Sequence, residues 1–376
     1  MTKKIFWCNN CLNMSTRPRI TFDHRGWCNA CQWMEEKKKM DWSVRKKELQ
    51  NLLDNHRSTD GSYDCLVPAS GGKDGSYLAY QLKHKYKMNP LAVTSRPPLS
   101  LELGNKNLEA FIGSGYEHLH VSANLDAMQK LNKLGFIEKG FPYYGWLITI
   151  KTIPLIVANK FNIPLIFWGE EGEVEYGGST EFKDKGIFDI EFIKKVYLES
   201  GYEKVLKQMK FNKSELYWFN MPTQESVDSK NIKMAKWSYF EPWDSYRNYL
   251  VAKEYCGLKE SGNSNSGTFT NFAQNDQALY SLHAYMMYLK FGFGRATQDA
   301  GIEIRRGSMT RDQAVNLVQM YDNAYPSEFI NTYLDYYSMT KEEFDAVLDK
   351  YVNKNLFNKE EGIWQPKFKV GKDFTE

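Results

Sequence analysis

The sequence has no long uninterrupted hydrophobic run, and this limits the kinds of protein that it can encode. The longest apolar stretch, residues 146–158, is interrupted by polar side chains and by Pro154. A membrane-spanning helix needs ~20 predominantly apolar residues, and a secretory signal needs an apolar region that residues 1–7 lack. We therefore expect a soluble protein located in the cytoplasm.

The chain also has little excess charge of either sign. Its 376 residues include 49 Lys and Arg against 46 Asp and Glu, which gives a formal net charge of +3. Nucleic-acid-binding domains usually concentrate basic residues, so this charge gives no support for a broad nucleic-acid surface. The length allows a large core and more than one module.

Cysteine is scarce beyond the first 31 residues, where four of the six cysteines lie. They form two pairs, Cys8-x-x-Cys11 and Cys28-x-x-Cys31, with 16 residues between the pairs. This spacing is typical of a zinc ribbon, in which four thiolates hold one Zn²⁺. A four-thiolate iron–sulfur cluster is the alternative, and disulfides fit a reducing cytosol poorly. The segment is too short for its own core, so a metal would supply its folding energy.

A glycine-rich turn is the most informative stretch of the chain. It follows a short apolar run at 65–67 and precedes a helical pattern at 77–82, which predicts strand, turn and helix. Backbone N–H groups in such a turn, together with the helix dipole, bind phosphate groups. We expect the whole turn to bind a phosphate chain, with Lys73 adding a mobile positive charge. The turn consists of Ser70, Gly71, Gly72, Lys73, Asp74, Gly75 and Ser76.

Strand-like and helical patterns alternate from this turn onward and predict a doubly wound α/β fold with a parallel sheet. The helix predicted at 145–161 contains Pro154, which predicts a kink or two pieces. A last strand is predicted at 236–240. The other predicted strands are 65–69, 90–94, 118–121 and 163–168, and the other predicted helices are 101–113 and 125–134.

The strand predicted at 163–168 ends in Gly169, Glu170, Glu171 and Gly172. Parallel sheets bind ligands at the carboxyl ends of their strands, and Mg²⁺ on phosphates takes one or two carboxylates. One of the two glutamates is therefore a candidate for Mg-ATP, while a solvated acidic loop is the alternative.

The sequence pattern of the C-terminal part predicts a loop at 261–270 followed by helices. Thr310-x-x-Gln313 and Thr340-x-x-Glu343 are predicted capping boxes. Between the loop and these boxes, glycines alternate with Phe291 and Phe293, and three arginines follow. Arginines suit an anionic substrate, such as a nucleotide-sugar diphosphate, a carboxylate or a phosphate, although ordinary surface arginines are the alternative. These arginines are Arg295, Arg305 and Arg306.

The turn at 70–76 resembles the PP-loop of ATP pyrophosphatases, with one extra residue, Gly75, compared with the commonest form. Together with the four cysteines, Phe-Gly-Phe-Gly-Arg-Ala-Thr (291–297) and the run ending at Arg311, it resembles the N-acetyl sugar amidotransferases. These include the WbpG-like enzymes of lipopolysaccharide O-antigen and the PseA-like enzymes of flagellin glycans. The resemblance implies that the turn binds the pyrophosphate of ATP and that Lys73 and Asp74 are catalytic. It further implies that ATP adenylates an acetamido oxygen and that ammonia then displaces AMP to give an acetamidino sugar. It also implies that Thr94 and Ser95 lie near adenosine, although turn chemistry explains them equally well.

The chain has no recognisable glutaminase signature, and the resemblance implies an ammonia-supplying pair similar to the HisH and HisF subunits of imidazole glycerol phosphate synthase. We expect a zinc ribbon at 1–40, a helical connector at 41–60, a PP-loop domain at 61–257 and a helical region at 258–376. The expected cofactors are ATP, Mg²⁺ and Zn²⁺. A PP-loop tRNA thiolase is the main alternative, and a scaffold with an inactive nucleotide fold is another.

Overall fold

The structure is a computed structural model that describes residues 4–375. Residues 1–3 of the predicted zinc ribbon and residue 376 of the predicted helical region lie outside the described residues. The amino-terminal elements are β1 (Lys4–Ile5), α1 (Asn29–Lys39) and α2 (Trp42–Asp54).

The next part of the chain alternates strands and helices, as the sequence predicts. α3 continues directly into a π-helical turn at Gln81–Lys85. The elements are β2 (Cys65–Pro68), α3 (Lys73–Tyr80), β3 (Pro90–Ser95), α4 (Glu102–Gly113), β4 (His118–Val121), α5 (Leu125–Lys139), α6 (Tyr144–Phe161) and β5 (Leu165–Trp168).

Short elements follow β5 and lead back to the sheet. They are α7 (Gly172–Tyr176), β6 (Ile187–Phe188), α8 (Ile190–Phe192), α9 (Tyr202–Gln208), α10 (Gln224–Ser229), β7 (Lys233–Lys236), α11 (Trp237–Phe240) and α12 (Ser245–Cys256).

The central sheet in the described part of the chain has the strand order β4-β3-β2-β5-β7-β6. All neighbours are parallel except β6, which runs antiparallel to β7. Along β2, Leu66 packs into the core that contains α6, whereas Cys65 and Val67 pack into the core that contains α3. The sheet is therefore covered on both faces, which confirms the predicted doubly wound α/β fold.

One local prediction was wrong, and one of the two alternatives predicted at Pro154, a helix in two pieces, is excluded. The last parallel strand is β7, three residues earlier than predicted, and the aromatic run after it forms the helical turn α11. Trp237 and Phe240, three positions apart, are both buried there, which is a helical rather than an alternating pattern. α6 is one continuous helix across Pro154, because packing of its apolar side chains outweighs one lost backbone hydrogen bond.

The C-terminal region is mainly helical and contains α13 (Leu279–Phe291), α14 (Arg295–Arg305), α15 (Arg311–Tyr321), α16 (Ile330–Tyr337) and α17 (Lys341–Tyr351). Both predicted capping boxes are present, at Thr310 and at Thr340. The sequence analysis missed the hairpin of β8 (Phe357–Glu360) and β9 (Ile363–Pro366), whose two-residue turn has positive φ at Glu361 and Gly362. The final strand, β10 (Phe374–Thr375), pairs with β1.

Across residues 4–375, no helix is both long enough and apolar enough to cross a membrane.

Candidate active site

The turn between β2 and α3 forms a cradle whose shape depends on two glycines. Gly71 has φ of 75°, and a Cβ there would lie 2.5 Å from the backbone nitrogen of Leu108. A Cβ on Gly75 would lie 2.8 Å from the Cα of Ala69. A side chain at either position would push the turn away from neighbouring backbone, so this fold of the turn requires glycine. α3 begins immediately after Gly72, and its positive dipole end faces the turn.

A cavity of about 280 Å³ lies in front of this turn. Several segments that are far apart in sequence form its wall, including Gly104 and Asn107 of α4. The turn contributes Ser70, Gly72, Lys73, Asp74 and Gly75, the segment after β5 contributes Glu170 and Tyr176, and the C-terminal region contributes residues 272–276, Tyr280 and Arg295.

Two cationic side chains are fixed at the wall of the cavity. Lys73 is buried and forms an ion pair with Asp74, whose Oδ1 accepts a hydrogen bond from Asn248 Nδ2 at 3.0 Å. Arg295 forms an ion pair with Asp299, with 2.8 Å between Nη2 of Arg295 and Oδ1 of Asp299. A lysine and an arginine that converge on a helix amino terminus suit a polyphosphate.

The adjacent Glu170 and Glu171 have opposite environments. Glu170 lines the cavity and accepts hydrogen bonds from the Tyr176 hydroxyl at 2.8 Å and from Trp243 Nε1 at 2.9 Å. Burial and the nearby Asp74 carboxylate raise the pKa of Glu170. Glu171 is 5% exposed, forms an ion pair with Lys236 and does not line the cavity. Only Glu170 is therefore placed to meet a ligand in front of the turn.

Asp276 is a third acidic residue at the cavity, and the sequence analysis missed it. Its backbone is fixed because its carbonyl oxygen accepts from the Leu101 N–H at 3.1 Å. Burial raises the pKa of Asp276 to about 6, against a lowering contribution from the Ser70 hydroxyl. The only sequence signal was that Asp276 follows the Gly/Ser/Asn-rich loop at 261–270, since loops beside a rigid scaffold often carry functional groups.

A second cavity of about 130 Å³ adjoins the first and shares Ser70 and Asp276 with it. Thr94 and Ser95 line this second cavity. Their hydroxyls are already used within the protein: Thr94 donates to the Ala69 carbonyl, and Ser95 donates to Thr149 Oγ1 at 2.8 Å. Any contact between these two residues and a ligand would therefore compete with internal hydrogen bonds.

The structure does not bring every predicted site residue to the main cavity. Ser76 is fully buried and does not line the cavity, whereas Gly75 does. Arg305 and Arg306 line a separate cavity of about 140 Å³, where Arg305 Nη2 donates to the Glu175 carbonyl at 3.1 Å. Gly169 lies outside the wall but packs closely, since a Cβ there would be 2.8 Å from the ring of Trp243.

The four cysteines of the amino-terminal segment come together in one buried cluster. The Sγ atoms of Cys8 and Cys31 are 3.8 Å apart, and Cys28 Sγ is 3.7 Å from those of Cys11 and Cys31. A tetrahedron with metal–sulfur bonds of ~2.3 Å has edges of ~3.8 Å. The donor set and its spacing therefore suit a single metal ion, which agrees with the prediction of a metal-binding module.

Residues 266–370 match the family model described as "LPS biosynthesis protein WbpG-like, C-terminal domain". Residues 266–370 are therefore similar to the WbpG-like family, and the predicted family resemblance is confirmed over this part of the chain. The matched segment includes Asp276, Tyr280 and Arg295, which line the main cavity.

A curated relative, the uncharacterized protein MJ1599 of Methanocaldococcus jannaschii, is 34% identical over 87 residues, which is 23% of this chain. The match spans about a third of the relative's own length, 31%.

Two solved structures are similar to parts of the chain. The U34-tRNA thiolase NcsA from Methanococcus maripaludis, with its 4Fe–4S cluster, shares 15% identity at a TM-score of 0.30, covering 71% of this chain and 79% of its own. A predicted subunit of a tRNA methyltransferase from Methanocaldococcus jannaschii shares 18% identity at a TM-score of 0.29, covering 60% of this chain and 86% of its own. Likenesses at these TM-scores do not determine the arrangement of this chain's site.

Proposed function

We propose that this protein is an ATP-dependent amidotransferase that converts an acetamido group of an N-acetylated, nucleotide-activated sugar to an acetamidino group in bacterial surface-polysaccharide biosynthesis. One observation carries the proposal. The segment that matches the WbpG-like C-terminal domain contributes Asp276, Tyr280 and Arg295 to the same cavity that the turn at 70–76 lines. The turn proposed to bind phosphate and the segment that matches the family model thus line the same cavity, so a single reaction could use residues of both.

An amide needs activation before ammonia can replace its oxygen, because that oxygen is a poor leaving group. In the proposed reaction the acetamido oxygen attacks the α-phosphorus of ATP, and the bond to pyrophosphate breaks. The N–H groups at the start of α3, together with Lys73 and Arg295, stabilise the negative charge that develops on pyrophosphate. Mg²⁺ bound with ATP would neutralise further phosphate charge, and Glu170, which lines the cavity, would hold it.

The amide also loses its N–H proton as the oxygen is adenylated, which leaves a neutral imidate. We assign Asp276 as the group that takes this proton, because its carboxyl lies between the two cavities and its pKa of about 6 suits proton transfer near neutral pH. Ammonia then attacks the imidate carbon, the proton returns to the sugar nitrogen and the carbon–oxygen bond to AMP breaks. The product leaves as a protonated amidine.

Ammonia needs a separate source in this proposal. The two cysteines outside the metal cluster, Cys65 and Cys256, are both buried, and burial raises the pKa of each thiol. A glutaminase nucleophile must be an accessible thiolate, so neither residue suits that role. We propose a HisH-like glutaminase with a HisF-like subunit as the partners that deliver ammonia.

The cysteine cluster is proposed to hold Zn²⁺ at Cys8, Cys11, Cys28 and Cys31. The separations of 3.7–3.8 Å between sulfurs support a single ion. An iron–sulfur cluster places iron and sulfide between its thiolates and needs them farther apart. Four protein ligands leave no open position, so the zinc supplies folding energy rather than catalysis.

The tRNA thiolase alternative has less support. A thiolase that carries sulfur on cysteine needs accessible thiols near the nucleotide, whereas Cys65 and Cys256 are buried. The net charge of +3 also gives little electrostatic attraction for tRNA.

The proposal is tested with purified protein, Mg-ATP, an ammonium salt and a panel of nucleotide-activated acetamido sugars. We expect pyrophosphate release that depends on one class of sugar and a product lighter by the difference between O and NH. Tight ATP binding without sugar-dependent pyrophosphate release from any member of the panel would contradict the proposal and favour a different acceptor.

A further inference from the structure

Helix α7 lies between the main cavity and the cysteine cluster. Residues of the cavity lie next to it on one side, and residues of the amino-terminal segment contact it on the other. On the cavity side, the turn before α7 carries Glu170 and the helix ends at Tyr176. On the other side, Arg19 forms a two-point ion pair with Glu173, at 2.8 and 2.7 Å. Lys37 binds Glu175 at 2.7 Å. The metal module therefore holds the helix that forms one wall of the cavity.

Asn13 makes the most direct link between the two sites. Its side chain is 3% exposed, and its single amide nitrogen is 3.3 Å from Cys28 Sγ and 3.0 Å from the carbonyl oxygen of Tyr176. An amide group has two N–H donors, so one can serve the sulfur while the other serves the carbonyl. A Cβ on Gly177 would lie 2.8 Å from this nitrogen, so glycine at 177 permits the close approach.

The link continues into the cavity through Tyr176. The backbone of this residue accepts from Asn13, and its hydroxyl donates to Glu170 Oε1 at 2.8 Å. Two hydrogen bonds of Asn13 and one of Tyr176 thus connect a metal-binding cysteine to the carboxylate that faces the phosphate-binding turn. All of these atoms are buried or partly buried, where a hydrogen bond restricts orientation most strongly.

We propose that Asn13 is a positioning residue: it couples the geometry of the metal site to the orientation of Tyr176 and Glu170, and so to the binding of Mg-ATP. The metal module then serves the active site as well as its own folding. This inference rests on the proposed function only in requiring that Mg-ATP binds in the main cavity.

Asn10 provides a matched control. Its Nδ2 is 3.3 Å from Cys31 Sγ, the same distance that separates Asn13 Nδ2 from Cys28 Sγ, but its side chain makes no hydrogen bond to α7 among the described residues. Asn13→Ala and Asn10→Ala each remove one N–H···S contact, whereas only Asn13→Ala also removes the bond to Tyr176.

The experiment measures metal content and the dissociation constant of Mg-ATP, as a function of Mg²⁺ concentration, in the metal-loaded protein. We expect Asn13→Ala to keep its metal, to bind Mg-ATP about tenfold more weakly and to need more Mg²⁺, as expected for a lost buried hydrogen bond. Asn10→Ala should bind Mg-ATP as the wild type does. Tyr176→Phe should reproduce the Mg²⁺ effect, and its combination with Asn13→Ala should be less than additive. Equal binding by Asn13→Ala and Asn10→Ala would overturn the proposal.

A measurement on the unaltered protein decides the matter if Asn13→Ala loses its metal. Coupling between two binding sites is reciprocal, so Mg-ATP must raise the affinity for Zn²⁺ by the same factor as Zn²⁺ raises that for Mg-ATP. Zn²⁺ affinity is measured by competition with a chelator, with and without Mg-ATP. An unchanged Zn²⁺ affinity in a protein that binds Mg-ATP would overturn the coupling, whereas absence of Mg-ATP binding altogether would instead reject the proposed function.

Discussion

At the scale of single residues, two neighbouring side chains of the same type have different surroundings and therefore different roles. Glu170 and Glu171 are consecutive carboxylates, yet one faces the cavity and the other is buried against Lys236. The sequence could predict that this pair ends a parallel strand. It could not predict which member faces the ligand, because that depends on packing against Trp243 and Lys236, which lie far away in sequence.

This difference predicts two opposite mutant phenotypes. Glu170→Gln should lower sugar-dependent pyrophosphate release about 10²-fold or more, because it removes a charge that meets Mg-ATP, while thermal stability stays near that of the wild type. Glu171→Gln should destabilise the fold by about 3 kcal/mol, because it leaves Lys236 without its buried partner. Pyrophosphate assays and thermal unfolding on both variants distinguish the roles, and the reverse pattern would reject the assignment of Glu170.

Asp276 is predicted to act in proton transfer. Asp276→Asn keeps the shape of the side chain but cannot accept the amide proton, so pyrophosphate release should fall about 10²- to 10⁴-fold while Mg-ATP still binds. In the wild type, kcat should decline as pH falls below the Asp276 pKa of about 6. If Asp276→Asn retains the wild-type rate, another group takes the proton.

The raised pKa of Asp276 also predicts how stability depends on pH. The folded protein holds this proton up to about pH 6, whereas the unfolded chain loses it near the ordinary value of 3.8. Stability therefore falls as pH rises between these values, and the full loss remains above pH 6. Relative to the wild type, Asp276→Asn should therefore be stabilising at pH 7 and should lose this advantage as pH falls toward 4. Thermal unfolding at the two pH values checks the sign.

At the scale of elements, the strand–turn–helix unit was the most predictable part of the molecule. Its glycine spacing and the apolar run before it indicated a phosphate cradle. β2 lies where expected, whereas α3 begins at Lys73, four residues before the predicted helical pattern. The role of Gly75 was less predictable. It seemed an insertion before Ser76, but the structure places Gly75 in the cavity wall and turns Ser76 into the core. The missed hairpin β8–β9 shows a similar limit, since its short polar strands carry a weak alternating pattern.

Adding one methyl group, by a Gly→Ala substitution, is therefore expected to affect stability at Gly75 but not at an unconstrained glycine. Gly75→Ala should destabilise the protein by about 1–3 kcal/mol and weaken ATP binding, because its Cβ would lie 2.8 Å from Ala69 Cα. Gly113→Ala, at the end of α4, adds the same atom where nothing lies within 4 Å, so it should be neutral or stabilising by up to ~1 kcal/mol. Denaturant unfolding and ATP titration of both variants make the comparison, and equal effects would mean that the turn adapts.

At the scale of the whole molecule, the candidate active site is formed by segments that no local pattern connects. The turn at 70–76, the segment from Glu170 to Tyr176 and the loop before α13 meet only after folding. Sequence analysis identified the turn and the beginning of the second segment, Glu170 and Glu171, and placed Arg295, Arg305 and Arg306 in one anion site. Only Arg295 reaches the cavity, because α14 points its other end toward the cysteine cluster, where Arg305 bonds to α7. Contacts of this kind depend on tertiary packing rather than on spacing along the chain.

The central claim is that ATP activates the acetamido oxygen in this shared cavity, and the fate of that oxygen tests it most directly. The measurement uses an acetamido sugar labelled with oxygen-18 in its carbonyl group, together with Mg-ATP and ammonia, and determines the label in AMP by mass spectrometry. The account predicts that one labelled oxygen appears in each AMP formed, because the carbon–oxygen bond breaks after the oxygen has bonded to phosphorus. Unlabelled AMP formed together with amidine product would contradict adenylation of the acetamido oxygen.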